Sequence, residues 1–337
     1  MTVLVTGAAG HLGGNLVRVL LSRGTSVRAL VHRDVRAIDG LDVEVVRGDV
    51  RDLASLRAAC QDIDQVYHTA GYVSIQEDDW PLLQEINVLG VRNVVQACLE
   101  SDVKRLVHVS SIHALDTDLA QGAVDEVCPL VRSAGRSQYR YSKAAGEREV
   151  QAGITKGLDA VIVRPTAILG PYDYRLSHQG QMVLFLAQGK LPALVNAGFD
   201  WVDARDVADA MIQAGIAAHP SSHYNLSGRW ASATEVAQMV SSIAGVRAPR
   251  LACPMSVAYL VVSLYSMVSR LVGARPLFTT VALDALSGSR EVSHERAACE
   301  LGYSSRPLRK TIEDSLHWFV ENGTLSLVQP TASTGVA

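Results

Sequence analysis

Tyr139 and Lys143, four residues apart in Tyr139-Arg140-Tyr141-Ser142-Lys143, open the most informative stretch of the chain. On an α-helix this spacing puts both side chains on one face, so a phenol and an ammonium can share a cleft. The chemistry that calls for such a pair is hydride transfer to or from a carbonyl, where a proton must be delivered to or taken from oxygen. A free phenol, with a pKa near 10, is a poor base at neutral pH. An ammonium about 4 Å away contributes roughly 4 kcal/mol at an effective dielectric near 20, enough to lower that pKa by up to about three units. Lys143, together with the positive charge of a bound oxidised nicotinamide, is therefore expected to bring Tyr139 toward the working pH. Upstream, Val107-His108-Val109-Ser110-Ser111 ends an apolar run in two hydroxyls. A serine at such a strand end can hydrogen-bond a substrate oxygen and hold it for protonation. The expected catalytic set is Ser111, Tyr139 and Lys143. Each piece also has a plain structural use, as a helix face or a turn; their order along the chain is what points to catalysis.

Hydride chemistry needs a carrier, and the first residues offer a place for one. Val3-Leu4-Val5-Thr6-Gly7-Ala8-Ala9-Gly10-His11-Leu12-Gly13 is a strand that breaks into glycines and resumes as a helix. Glycines at 7, 10 and 13 permit a tight turn, close backbone approach to a pyrophosphate and close helix–strand packing. The helix N-terminus then offers unpaired N–H groups to the phosphates. NAD would want an acid at the tip of the second strand to accept its ribose 2′-hydroxyl. That tip reads Leu30-Val31-His32-Arg33, so Arg33, helped by His32, is expected to pair with the 2′-phosphate of NADP. Asp34 weakens the inference, and NADP is favoured over NAD. Asp49, followed by Val50 after the third strand, suits either an adenine amino group or a capping turn.

These residues need a scaffold. The runs Thr2–Thr6, Ser26–Val31, Val43–Arg47, Gln65–His68, Arg105–Val109 and Ala160–Val163 read as buried strands. Amphipathic segments Leu12–Ser22, Leu53–Cys60, Leu82–Leu99 and Tyr139–Thr155 lie between most of them. Such alternation implies an α/β fold: a doubly wound parallel sheet of Rossmann type, because parallel strands need helical crossovers. Residues 1–170 are expected to form the dinucleotide-binding domain, with a return strand near 223–227. Residues 171–327 are expected to form mainly a smaller, mostly helical substrate-binding lobe, and 328–337 a disordered tail.

Composition excludes other classes. The 337 residues are 48% hydrophobic with a net charge of −3, leaving no basic excess for nucleic acid. Five scattered cysteines without Cys-x-x-Cys or Cys/His ligand spacing imply no metal site and no disulfide framework, hence reduced, mostly buried thiols in a cytoplasmic protein. The N-terminal apolar run lacks the basic leader and cleavage site of a signal peptide. Ser256–Val272 is apolar but interrupted by serines and shorter than the ~20 residues of a spanning helix. It is expected to be buried or to line a pocket, and no transmembrane span is expected.

Taken together, the motifs resemble those of the extended short-chain dehydrogenase/reductases. Thr6-Gly7-x-x-Gly10-x-x-Gly13 is similar to that family's cofactor turn, and Tyr139-x-x-Ser142-Lys143-x-x-x-Glu147 to its catalytic helix. Gly48-Asp49 looks like its adenine-contacting pair. His68-Thr69-Ala70-Gly71 and Asn87-Val88-x-Gly90-x-x-Asn93 resemble its cofactor-flanking segments. Arg164-Pro165-x-x-Ile168-x-Gly170-Pro171 resembles the loop beside the nicotinamide, and Trp201-Val202-Asp203-x-Arg205-Asp206 a later signature. The resemblance implies that Gly7, Ala9, Gly10, His11, Leu12, Gly13, His32, Arg33, Asp49, Val50, Thr69, Ala70, Gly71, Asn87, Val109, Tyr139, Lys143, Pro165, Thr166 and Ile168 contact the cofactor, with Lys143 on its nicotinamide ribose. Tyr72, His113, Gln138 and Tyr172 are expected to meet substrate.

Val27-Arg28-Ala29-Leu30-Val31 and Ala298-Cys299-Glu300-Leu301-Gly302-Tyr303-x-x-Arg306-Pro307-Leu308 look most like the dihydroflavonol reductase and 3β-hydroxysteroid dehydrogenase branch. That branch implies interconversion of a ketone or aldehyde and an alcohol on a fairly apolar small molecule, and a homodimer packed through Leu82–Leu99 and Tyr139–Thr155. A nucleotide-sugar epimerase on the same scaffold is the alternative. A dehydratase is disfavoured, because Ile112-His113 rather than an acidic pair follows Ser111.

Overall fold

The β-branched runs do become strands: β1 Thr2–Thr6, β2 Ser26–Val31, β3 Glu44–Arg47, β4 Gln65–His68, β5 Arg105–Val109 and β6 Ala160–Pro165. Shorter strands follow, β7 Ala167–Leu169, β8 Ala193–Val195, β9 Gly198–Asp203, β10 His223–Leu226, β11 Arg229–Ser232 and β12 Leu251–Cys253. The computed structural model describes residues 1–76, 79–120, 122–135, 137–271, 279–286 and 291–326. The 328–337 tail and Val272 lie outside them.

The main sheet runs β3-β2-β1-β4-β5-β6-β10, with every neighbouring pair parallel. The chain leaves β1 toward β2 and β3, then returns to β1's other side for β4. This reversal opens a crevice at the carboxyl ends of β1 and β4, the usual ligand position in such sheets.

The helices are α1 His11–Ser22, α2 Leu53–Ala59, α3 Trp80–Gln84, α4 Gly90–Glu100, α5 Gln138–Ile154, α6 His178–Ala187, α7 Ala204–Ala217, α8 Ala233–Ala244, α9 Met255–Leu271, α10 Thr280–Leu286, α11 Glu295–Leu301 and α12 Leu308–Glu321. Alternation along the strands sends Val3 and Val5 into one core with Leu16 of α1 and Met211 of α7. Leu4 points the other way, to Leu56 of α2, Val94 of α4 and Val150 of α5. A third cluster joins Leu184 of α6, Val236 of α8 and Phe319 of α12 over the short sheet β7-β9-β11. Among the described residues no helix is long and apolar enough to cross a membrane.

Two expectations need correction. Leu82–Leu99 is not one α-helix: a π-helical turn, Glu85–Leu89, separates α3 from α4. The turn carries Asn87, whose amide accepts from Tyr72 N (2.8 Å) and donates to Tyr72 O (2.8 Å) and Ser142 Oγ (3.0 Å). π turns of this kind occur frequently at functional sites. Gly146 of α5 makes room for it, since a Cβ there would lie 2.3 Å from Asn87 O. Nor are most of the thiols buried. Cys60 and Cys98 are, but Cys128 and Cys253 are half-buried and Cys299 is exposed.

Asn87 is 2% exposed, so truncating it strands partners that water cannot reach. Asn87→Ala is expected to lower the unfolding free energy by about 3 kcal/mol, read from the midpoint of a denaturant titration.

Candidate active site

The glycine turn is built by contacts that exclude side chains. Gly7 has φ +70°, and a Cβ on it would stand 2.5 Å from Ala70 N; one on Gly13 would stand 2.2 Å from Gly7 O. The start of helix α1 thus lies directly against the carboxyl ends of the paired strands β1 and β4, with Ala9 and Leu12 buried. Its N-cap, Gly10, supplies no side-chain cap, and the first turn holds no acid. Unpaired N–H groups and the positive end of the helix dipole remain for an anion, which fits a pyrophosphate. His11 turns away from solvent, its Nε2 3.1 Å from both Gly170 O and Pro171 O. Asn15 Nδ2 also donates to Pro171 O (3.0 Å). These bonds tie the glycine turn to the loop after β7, which its spacing alone did not signal.

At the tips of β2 and β3, His32 and Arg33 are exposed. Arg36 and Arg175 clasp Asp34 (2.8 and 3.1 Å), and the Arg36 hydrogen bonds hold its carboxyl well below the usual range. Arg33's guanidinium has no hydrogen-bond or ionic partner among the described residues. Asp52 caps α2, while Asp49 closes the turn before it, its Oδ1 accepting from Arg51 N (2.9 Å). Its carboxylate accepts from Arg51 Nη2 at 2.7 Å and lies 3.6 Å from His32 Nε2. Val50 packs under Gly90, where a Cβ would meet Val50 Cγ2 at 2.9 Å.

The end of β4 reaches the chemical centre. Thr69 Oγ1 donates to Thr6 O (2.7 Å). A methyl on Gly71 would stand 3.5 Å from Asn87 Oδ1 and 3.9 Å from Lys143 Nζ, so three separate segments converge there. Helix α5 starts at Gln138, capped by Ser137, and presents Tyr139 and Lys143 to the end of β5. Lys143 Nζ donates to Val109 O at 2.8 Å. Ser111 caps a 3-10 turn by accepting from His113 N (3.2 Å), and its hydroxyl is near enough to Tyr139 to favour the phenolate. The His113 ring stands edge-on to Tyr139, centroids 6.2 Å apart. Burial pushes its pKa down to about 4, which keeps it neutral at physiological pH. Gln138 Oε1 is buried without a partner among the described residues, leaving one polar atom free for a ligand.

Burial governs the acidity of Tyr139 in the free protein. It pushes the phenol up to about 12, against the nearby Ser111 hydroxyl, which acts to lower it. The Lys143 ammonium is directed at the Val109 carbonyl, and burial brings Lys143 itself down to about 8. Without cofactor the tyrosine is a protonated acid rather than a base poised near neutrality.

Lys143 yields a pH test. Unfolded, a lysine titrates near 10.5. Between about 8 and 10.5 the unfolded chain holds the extra proton, so this residue's contribution to stability rises with pH and is least favourable below 8. Relative to wild type, Lys143→Met should be favoured most below pH 8. That advantage should shrink by about 3 kcal/mol by pH 10.5, measured as the difference between the two unfolding curves.

The other site residues divide. Pro165 and Ile168 lie on β6 and β7 beside the crevice. Thr166 Oγ1 donates to Asp200 Oδ1 (2.7 Å). Tyr72 sits at the mouth, its hydroxyl donating to Asp79 Oδ2 (2.9 Å). Tyr172, at φ +65°, sets its ring 4.0 Å from the Arg18 guanidinium and edge-on to Trp318. The linkage of Glu147 to Arg164 was not apparent from spacing. Fully buried, they pair at 2.7–3.2 Å and fasten α5 to β6. The only advance signal was that both stand in matched motifs.

With the crevice and the Ser111–Tyr139–Lys143 cluster in place, the comparisons agree. Residues 3–227 match the NAD dependent epimerase/dehydratase family, and the chain belongs to it, as an NAD(P)-dependent enzyme of the extended short-chain dehydrogenase/reductase class. It is 36% identical over 329 residues to sterol demethylase protein B of Methylococcus capsulatus, covering 96% of this chain and 100% of that one. It is 29% identical over 330 residues to a Synechocystis protein named as a dihydroflavonol 4-reductase, covering 95% and 94%. The crystal structure of gox2253 superposes with a TM-score of 0.85 at 33% identity, covering 96% and 99%.

Proposed function

We propose that this protein is an NADP-dependent reductase that interconverts a ketone or aldehyde with an alcohol on a fairly apolar small molecule. The observation that carries the reading is the cluster itself: the Tyr139 phenol beside His113 and Ser111 at the end of β5, one helical turn from a lysine anchored on the same strand end. Bound NADPH would supply the hydride to the carbonyl carbon. Ser111 holds the carbonyl oxygen, and Tyr139 donates the proton that completes the alcohol. Lys143, near Gly71 and Asn87, is placed to bind the nicotinamide ribose. Neutral His113 and the free Gln138 oxygen face the substrate. The names of the sterol and dihydroflavonol relatives support an apolar substrate.

The preference for NADP rests on the β2 tip. Asp34, the acid nearest the ribose position, is neutralised by two arginines, while Arg33 is exposed and uncommitted. A panel of ketones and alcohols followed by nicotinamide absorbance, with both cofactors in parallel, tests the whole reading. Turnover with NADPH is expected; no turnover of any carbonyl, or a cofactor that stays bound through every cycle as in an epimerase, would overturn it. In the same assay Arg33→Ser should raise the KM for NADPH by about 10- to 100-fold and leave that for NADH unchanged.

A further inference from the structure

Helix α9 does not behave as the buried or pocket-lining segment its composition suggests. Ala258 and Val262 pack inward with Leu283 of α10. Val257, Leu260, Val261 and Leu264, at i, i+3, i+4 and i+7, form one stripe on the opposite side and are 46–62% exposed. Leu251, 68% exposed, leads into it. A contiguous apolar helix face open to water marks an interaction surface.

The charges around it select the partner. The loop before β12 carries Arg247 and Arg250, and the acid packed against α9, Asp284, is already bonded to Tyr259. Arg247 and Arg250 are exposed and have no ionic partner among the described residues. A second copy docked on this face would bring arginines against arginines. An anionic lipid surface answers both features, accepting the leucine and valine stripe among its acyl chains and the guanidiniums among its headgroups.

We infer that α9 is an interfacial helix that seats the protein on an anionic bilayer, lying in the plane of the membrane. The inference is independent of the reaction catalysed. Co-sedimentation with vesicles of phosphatidylcholine alone, or mixed with phosphatidylglycerol, tests it. The wild-type chain should partition at least about tenfold more onto the mixed vesicles at low salt, and high salt should reverse most of the difference. Leu260→Asp with Leu264→Asp should abolish binding with the unfolding midpoint unchanged, as both side chains already face water. Arg247→Glu with Arg250→Glu should reduce it about tenfold, whereas Ile216→Asp, which alters an exposed apolar residue on α7, should not. Failure to bind either vesicle, equal binding to both, or binding that survives the leucine substitutions would overturn the inference. So would a wild-type dimer that ignores vesicles and dissociates on Leu260→Asp with Leu264→Asp, which would make the stripe a contact between copies.

Discussion

Tyr139→Phe is expected to lower kcat about a thousandfold while leaving the cofactor's Kd within about twofold, a loss of roughly 4 kcal/mol of transition-state stabilisation. The substitution removes one O–H and keeps the ring, so the edge-on contact with His113 survives and the pocket does not collapse. What goes is the proton that carbonyl reduction consumes. Because burial holds the phenol at about 12, it is protonated throughout the neutral range, and reduction by the wild type should be flat with pH there. Alcohol oxidation needs the phenolate and should accelerate as pH rises. Steady-state rates in both directions, with cofactor affinity measured separately by fluorescence titration, decide the matter. Undiminished kcat, or a loss appearing wholly in cofactor binding, would remove Tyr139 from the chemistry.

A second large effect is expected at Glu147. Its carboxylate and the Arg164 guanidinium are 0% and 3% exposed and meet through three hydrogen bonds. Arg164 Nη1 already lacks a partner among the described residues. Glu147→Ala would leave a full charge buried with nothing to balance it, and should cost about 4 kcal/mol of stability. The double variant Glu147→Leu with Arg164→Met removes both charges and should recover most of that loss. If single and double variants unfold at the same denaturant concentration, the pairing is not what stabilises this junction. Glu147 lies one turn beyond Lys143 and its negative charge opposes the fall in the lysine's pKa. Its removal should therefore also push the Lys143 ammonium further down.

The parts of this molecule that could be read in advance are those whose physics is local. Val3 to Val5 alternate toward two cores, and the glycines at 7, 10 and 13 announce a turn that only glycine can make. Six strands, the return strand at His223–Leu226 and the convergence of Ser111, Tyr139 and Lys143 follow from such patterns. The rest depends on partners distant in the chain. Nothing at Asn87 marks the end of a helix, because the groups that open the π turn belong to residues 72 and 142. A four-residue spacing gives the lysine's proximity to the phenol but neither the burial of both groups nor the Val109 carbonyl that takes its ammonium. The three-residue strands β7, β8 and β12 are too short to carry a period, and the contacts of Tyr172 with Arg18 and Trp318 join positions far apart in the chain.

The π turn at Glu85–Leu89 also limits how this segment can vary. An α-helix advances about 100° per residue, and a π turn accommodates extra chain within one loop of the ladder. Removing a residue there would let α3 and α4 merge into one regular helix, an easy change for the backbone taken alone. It would also rotate everything upstream by about a quarter turn relative to α4 and swing Asn87 off the Tyr72 peptide. The segment should therefore accept many changes of side chain but none of length, so that insertions and deletions fall on either side of Trp80–Glu100 and not within it.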